Sequence, residues 1–156
     1  MGRTFEQFRT GEVLLTPRRT IMEADIGAFA GLTGDFNPLH TDEIYAQATS
    51  FGGRIAHGPL LIGMAFGLMS RLDLLDGTAL ALLGLDWSFK LPVRPGDTVS
   101  ARVEVLEATR ARSGARGKVS LRIAILNQAE AVVQEGHAKV LVRAADRPTR
   151  ARRAQS

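Results

Sequence analysis

The chain has 156 residues, of which 45% are apolar and 23% are charged, values typical of one soluble globular domain. It contains no cysteine, which excludes a disulfide framework, a thiol nucleophile and a cysteine-based zinc site, and which fits the cytoplasmic location that we predict. The net charge of +4 favours a polyanionic partner, but the whole excess lies in residues 143–156, and residues 1–142 are balanced. We therefore expect a disordered arginine-rich tail over 143–156 and no nucleic-acid partner.

The sequence predicts no membrane segment. Its longest charge-free apolar run, residues 59–70, is shorter than the ~18 residues that a spanning helix needs. Residues 1–11 include charged side chains and have no apolar centre, so we expect no signal peptide. A membrane partner is therefore not expected.

The first half of the chain has helical periodicity interrupted by turn residues. We predict, in chain order, a strand over 13–15, a helix over 23–32, a loop over 34–40, and helices over 42–48 and 59–72. Gly34 suits the end of the first helix, and Pro38 disfavours a helical Asn37. The helix that begins at Pro59 is apolar nearly all round, so it should be buried on most sides.

The second half alternates apolar and polar residues, which is the period of a strand with one buried face. The alternating segments are residues 79–91, 99–105, 119–125 and 131–142. In the first of them, Leu83, Leu85, Trp87 and Phe89 are predicted to face the core. Four such strands with short connections favour an antiparallel sheet with the apolar helix on its buried face. We therefore predict an α+β fold, a single domain over 1–142 in which a curved sheet surrounds one central helix.

The strongest candidates for chemistry are Asp35 and His40, five residues apart in the predicted loop. A carboxylate can take a proton from water, and an imidazole can give or take one near neutral pH. The two side chains could therefore form an acid–base pair. The alternative is structural, with Asp35 capping backbone donors and His40 capping the next helix.

A second candidate feature is the start of the apolar helix, His57-Gly58-Pro59. The N–H of Gly58 at a helix N-terminus could stabilise negative charge on a substrate carbonyl. His57 fits a structural hydrogen-bonding role and a role in the site equally well. A metal site of Asp35, His40 and His57 is less favoured, because no conventional ligand spacing is present. We predict neither a metal nor a cofactor.

A cationic cluster lies between two predicted strands and consists of Arg110, Arg112, Arg116 and Lys118. These side chains are candidates for binding phosphates, which arginine recognises through its planar guanidinium; a solvated hairpin loop is the alternative. The sequence has no Gly-x-Ser-x-Gly elbow, no phosphate-binding glycine loop and no series of aromatic residues for stacking on single-stranded nucleic acid.

Taken together, several segments resemble the MaoC-like hydratases, and especially the (R)-specific enoyl-CoA hydratases. The matching segments are residues 23–26, residues 29–42 with the block Asp35-Phe36-Asn37-Pro38-Leu39-His40, residues 51–58 with Ile55-Ala56-His57-Gly58, and residues 89–98. Their order and spacing are similar to the family across residues 18–142. The two quoted blocks occurring together make the resemblance specific.

The resemblance implies a hot-dog fold, in which an antiparallel sheet wraps a long central helix, and a homodimer or higher homo-oligomer. It also implies reversible hydration of trans-2-enoyl-CoA to (R)-3-hydroxyacyl-CoA, with the acyl-CoA as substrate and partner. Asp35 and His40 match the family's catalytic pair, and Gly58 matches its backbone donor to the thioester carbonyl. Asn37 and His57 would shape the site. The hairpin cations would be candidates for the CoA phosphates.

The sequence departs from the family pattern in two places. Met22 stands where relatives often have a threonine helix cap. Some of these hydratases have a serine within the buried helix near the site, where this chain has Gly63, Phe66 and Gly67, so we expect an acyl pocket of a different shape. The alternative functions are a hot-dog acyl thioesterase, an acyl-carrier-protein dehydratase and a non-catalytic acyl-CoA-binding module.

Overall fold

The computed structural model describes residues 1–112 and 114–145, so most of the predicted tail lies outside the described residues. The helices are α1 (Glu23–Thr33), α2 (Pro38–Thr41), α3 (Glu43–Gln47) and α4 (Gly58–Ser70), and a 3₁₀ turn covers Phe5–Gln7. The strands are β1 (Val13–Leu15), β2 (Arg19–Thr20), β3 (Ala79–Phe89), β4 (Thr98–Arg110), β5 (Arg116–Leu126) and β6 (Val132–Arg143). Across these residues, no helix is long and apolar enough to cross a membrane.

In the described chain, six strands form one antiparallel sheet around α4. The strand order is β1-β4-β5-β6-β3, and β2 pairs with the start of β4. Leu61 and Met69 of α4 are buried in the same core as Val103, Leu121 and Ala138 of the sheet. The predicted α+β class is confirmed by this arrangement.

Helix α4 is buried on most of its surface but leaves one stripe exposed. Pro59, Gly63 and Gly67 lie on this stripe, while Leu61 and Ala65 are buried. A Cβ atom on either glycine would meet nothing within 4 Å. Within the described residues, therefore, no neighbouring backbone uses the close approach that these glycines permit.

The predicted loop over 34–40 is wrong in its second part, because Pro38–Thr41 is a short helix. Pro38 is the first residue of α2, where its missing N–H has no intrahelical partner to lose. Asn37 is the N-cap, and its Oδ1 accepts the N–H of Leu39 at 3.0 Å. The proline thus excludes Asn37 from the helix but starts the turn that carries His40.

The predicted burial of the first long strand is also wrong. Leu83, Leu85 and Phe89 of β3 are 48%, 43% and 57% exposed, and Trp87 is half-buried. Strand β3 is at one edge of the sheet, where it pairs with β6 on one side in the described chain. Its alternating pattern correctly predicts a strand, but the core of this chain does not reach most of its side chains.

A bulge changes which residues at the start of β6 face the core. Ile125 pairs with Gln134 while Leu126 pairs with Val132, so Val133 is an additional residue on β6. As a result Val133 is buried next to Gln134, which faces the core through its regular pairing with Ile125, whereas Val132, predicted as a core residue, is only half-buried. The carbonyl of Val133 accepts the N–H groups of Lys90 and Leu91 at 2.9 and 3.0 Å.

Glu6 links the end of β6 to the N-terminal turn. Strand β6 extends one residue beyond the predicted domain boundary at 142, and Ala144 is buried. The Glu6 carboxylate accepts the backbone N–H of Ala145 at 2.9 Å and pairs with Arg110. The hydrogen bond from Ala145, with a further contribution from Arg110, lowers the pKa of Glu6 to about 2.

This lowered pKa predicts a pH-dependent stability. A carboxylate with a depressed folded-state pKa stabilises the fold above its unfolded-state pKa of about 4.3, and the effect is lost as the pH falls towards 2. Since the pair is partly exposed, we expect Glu6→Gln to lower the Tm at pH 7 by only about 2–4 °C. The difference should shrink between pH 4.5 and 2, as measured by thermal circular dichroism. A pH-independent difference would contradict this prediction.

Candidate active site

Asp35 follows directly after the turn that ends α1. Gly34 adopts a left-handed conformation with φ of 76°, and its N–H donates to the Ala30 carbonyl. The N–H of Asp35 donates to Thr33 Oγ1, and its Oδ1 accepts the Asn37 N–H, both at 3.2 Å. These bonds orient the carboxylate of an exposed side chain.

His40 is held by a backbone carbonyl from the segment before α4. Its Nδ1 lies 2.7 Å from the carbonyl oxygen of Ile55. Because a carbonyl oxygen can only accept, Nδ1 carries the proton and Nε2 is left for reacting groups. The Nε2 atom can therefore accept a proton when the ring is neutral and donate one when the ring is charged.

His57 is fully buried and connects α4 to Asp35. Its Nε2 donates to the backbone carbonyl of Asp35 at 2.9 Å. The ring centroid lies 3.8 Å from that of His40 and 5.0 Å from that of Phe29. Among the described residues, its Nδ1 has no hydrogen-bond partner. These contacts give His57 the means to support both members of the predicted pair.

The structure brings three predicted site residues together. A carboxylate oxygen of Asp35 and one ring nitrogen from each of His40 and His57 all lie within 4.8 Å of one another. A carboxylate and an imidazole at this separation can hold one water molecule and exchange protons with it. The same three groups could also bind a metal ion, although backbone carbonyls already occupy Nδ1 of His40 and Nε2 of His57. The absence of a metal or cofactor stays a prediction.

Gly58 begins α4 beside a cavity of about 330 Å³ that His40 also lines. As the first residue of the helix, Gly58 has an N–H with no acceptor inside the helix. A Cβ atom at this position would lie 2.6 Å from Cε1 of Phe89, so a larger residue would displace the ring or the helix. The apolar part of the cavity wall consists mainly of Phe51, Ile55, Ala56, Phe89, Leu91 and Val93.

An ion-pair cluster holds the segment between α3 and α4. The guanidinium of Arg54 binds Glu23 of α1 and Glu43 of α3, with N–O distances of 2.8 Å to each. Hydrogen bonds to these two carboxylates raise the pKa of Arg54, and the bond from Arg54 lowers that of Glu43. The cluster therefore ties the residues before His57 to α1, which ends shortly before Asp35, and to α3, which follows the helix that carries His40.

Within one chain, the hairpin cations are not brought to this site. Arg110 of β4 pairs with Gly117 of β5, which in turn pairs with Val142 of β6. The cavity is lined by Gln134, which is eight residues before Val142 on β6. Eight residues of strand correspond to roughly 26 Å. Arg110 also binds Glu6 and the carbonyl of Gly114, and the other three cations, Arg112, Arg116 and Lys118, are exposed. Their role in binding CoA phosphates stays a prediction.

Two residues that the sequence did not predict line the cavity, Lys90 and Gln134. Lys90 follows the end of β3 and forms an ion pair with Glu135 at 2.6 Å. The alternation in the last strand puts Gln134 on the same face as Val132, but the bulge at Val133 made that face difficult to assign. The only sequence signal that could have pointed to Lys90 is its place in residues 89–98, one of the segments that resemble the MaoC-like hydratases.

A sheet wrapped around a buried helix, with a carboxylate and an imidazole close together near the helix N-terminus, is the arrangement of a hot-dog protein. The family described as MaoC like domain matches residues 5–124. The chain therefore belongs to the MaoC-like dehydratase domain family, and the predicted resemblance is confirmed.

Known proteins agree with this assignment. The (R)-specific enoyl-CoA hydratase of Aeromonas caviae is 48% identical over 82 residues, which cover 53% of this chain and 60% of that protein. The crystal structure of a MaoC-like dehydratase from Rhodospirillum rubrum has a TM-score of 0.84 at 32% identity, with 94% of this chain and 100% of that chain covered. The chain spans less than two thirds of the length of the first curated relatives that it matches.

The fold itself is supported by a more distant structure. A Mycobacterium tuberculosis protein with a double hot-dog fold has a TM-score of 0.81 at 24% identity, with 94% of this chain and 46% of that chain covered. The predicted hot-dog fold is thus confirmed.

Proposed function

We propose that the protein catalyses the reversible hydration of trans-2-enoyl-CoA to (R)-3-hydroxyacyl-CoA. The observation that carries this proposal is the convergence of Asp35 and His40 beside the N-terminus of α4 at Gly58. The apolar wall of the adjoining cavity suits an acyl chain. Similarity to a relative named (R)-specific enoyl-CoA hydratase supports the substrate class and the stereochemistry.

In the proposed reaction, the Gly58 N–H donates to the thioester oxygen while Asp35 and His40 hold a water molecule. Asp35 takes one proton from the water as the water oxygen attacks C3. The thioester oxygen gains negative charge, which the helix N-terminus stabilises. His40, or the proton relay that it forms with the water, delivers a proton to C2. Return of the proton from Asp35 to His40 through solvent completes the net addition of one water.

The test is an assay of purified protein against short, long and branched trans-2-enoyl-CoAs. We expect loss of the absorbance of the conjugated thioester, with (R)-3-hydroxyacyl-CoA as the product identified by chiral chromatography. Release of free CoA without hydration would instead identify a thioesterase. Turnover only of substrates attached to acyl carrier protein would identify an acyl-carrier-protein dehydratase. Binding of acyl-CoA without turnover would identify a non-catalytic acyl-CoA-binding module.

We also propose that the protein is a homodimer that pairs through β3. This strand has a free edge in the described chain and exposes several apolar side chains, including Leu80 and Leu82 at 52% and 54%. A free edge with apolar side chains pairs readily with another strand, and a second copy offers the same edge. The expected assembly is a sheet continued across a two-fold axis.

The dimer predicts a specific effect of charge on β3. We expect Leu82→Lys/Leu85→Lys to sediment as a monomer, because both leucines are exposed on the pairing strand. Leu15→Lys is the matched control, since Leu15 is 63% exposed on β1 at the opposite edge of the sheet. Equal sedimentation of wild type and the β3 variant, measured by analytical ultracentrifugation, would contradict the proposed interface.

A further inference from the structure

Gln134 is a buried amide in the wall of the cavity. Gln134 is 3% exposed, and both the oxygen and the nitrogen of its side-chain amide are hydrogen-bonded. Nε2 donates to the carbonyl of Gly58 at 3.2 Å, and Oε1 accepts the indole Nε1–H of Trp87 at 2.9 Å. An amide in an apolar environment destabilises the fold unless it is paired, so these two bonds account for its burial.

The chemistry of the two partners fixes the orientation of the amide. The indole Nε1–H of Trp87 can only donate, so it requires the oxygen of Gln134. The carbonyl of Gly58 can only accept, so it requires the NH₂ group. A rotation of the amide by 180° would leave both partners facing a group of the wrong kind. Trp87 therefore determines which end of Gln134 faces α4.

Two features of the sheet make this contact possible. The regular register of β6 puts Gln134 opposite Ile125 of β5, on the same buried face as Ala138. Trp87 is directly opposite Gly136 in the register of β3 and β6, and a Cβ atom on Gly136 would overlap the indole ring. The absence of a side chain at Gly136 thus lets the Trp87 ring lie against β6 and reach the amide.

We infer that Gln134 is a positioning residue for the Gly58 N–H, and that Trp87 holds Gln134 in the orientation required. This inference rests on the proposed function. Gly58 is in the first turn of α4, where the helix has fewest internal hydrogen bonds. The bond from Gln134 ties the first carbonyl of this turn to the sheet. A donor fixed in advance stabilises charge on a thioester oxygen without reorganisation during the reaction.

A double-mutant cycle tests the coupling between the two side chains. We expect Gln134→Leu to lower kcat for crotonyl-CoA hydration roughly tenfold with less than about threefold change in KM, since a donor used in the transition state is affected. Trp87→Phe keeps the ring but removes the N–H, and should cost a few-fold. The double variant should be no slower than Gln134→Leu alone, because both changes break one chain of bonds.

Gln128→Leu is the matched control for loss of an amide. Gln128 also bridges two groups, the N–H of Thr98 and the carboxylate of Asp97, but it does not line the cavity. Its kinetics should equal those of the wild type. Wild-type kcat in Gln134→Leu, or multiplicative losses in the double variant, would overturn the inference.

A spectroscopic measurement keeps the inference separate from the proposed function. Butyryl-CoA with a ¹³C-labelled thioester carbonyl has no double bond to hydrate, so its C=O stretch reports hydrogen bonding alone. We expect a shift to lower frequency on the wild-type protein and a smaller shift on Gln134→Leu, by isotope-edited infrared difference. Equal shifts on the two proteins would overturn the inference even if hydration were detected. Absence of hydration with unequal shifts would reject the proposed function alone.

Discussion

Asp35→Asn is expected to lower kcat for crotonyl-CoA hydration by about 10³-fold, within the range for loss of a general acid or base. Asparagine keeps an oxygen that can accept the Asn37 N–H, so the turn after α1 should persist. The neutral amide, however, has no basic site for the proton of the attacking water. The expected change is therefore in turnover rather than in folding, as measured by steady-state kinetics and thermal unfolding.

His40→Gln should have an effect of similar size. Glutamine keeps a polar side chain of similar length that can still donate hydrogen bonds, but it has no group that exchanges protons near neutral pH. Combining it with Asp35→Asn should add little, because residues that act as one unit give non-additive losses. His137→Gln, at an exposed position of β6, is the control and should leave turnover unchanged. Wild-type turnover in both folded site variants would reject the assignment of the pair.

The sequence predicted best those elements whose apolar faces meet within the same chain. The alternation around Val103 and Leu121 predicts strands buried against α4, and both residues are fully buried. The same alternation in β3 predicted burial incorrectly, because the exposure of an edge strand depends on what lies beyond the edge. The bulge in β6 was not visible, since Val132 and Val133 are both apolar and either can face a core.

The candidate site shows the same division between local and distant contacts. Asp35, His40 and Gly58 could be predicted as candidates because short segments beside helix ends carry them. Gln134 was not found, because it contacts Gly58 from 76 residues away through the register of a sheet. Within one chain, the hairpin cations lie far from the site for a related reason, since strand direction places them at the opposite end of β6.

Gly58→Ala is expected to lower kcat/KM by about 10²-fold, comparable to the loss of one oxyanion donor. Alanine favours a helix by about 1 kcal/mol over glycine, so backbone preference does not oppose the change. The obstacle is Phe89, whose Cε1 lies 2.6 Å from the position of the new Cβ. We expect relief of this overlap to move the start of α4, which takes the N–H from its place at the cavity that His40 also lines.

Two further variants separate this cause from a general effect of replacing a helical glycine with alanine. Gly27→Ala in α1 is the matched control, because its Cβ would meet nothing within 4 Å, and its kcat/KM should equal that of the wild type. Phe89 is 57% exposed, so Phe89→Ala should fold and should remove the overlap. Gly58→Ala/Phe89→Ala should therefore come within about tenfold of Phe89→Ala alone, because the N–H can return to its place. An unchanged kcat/KM in Gly58→Ala would contradict the predicted displacement of the helix N-terminus.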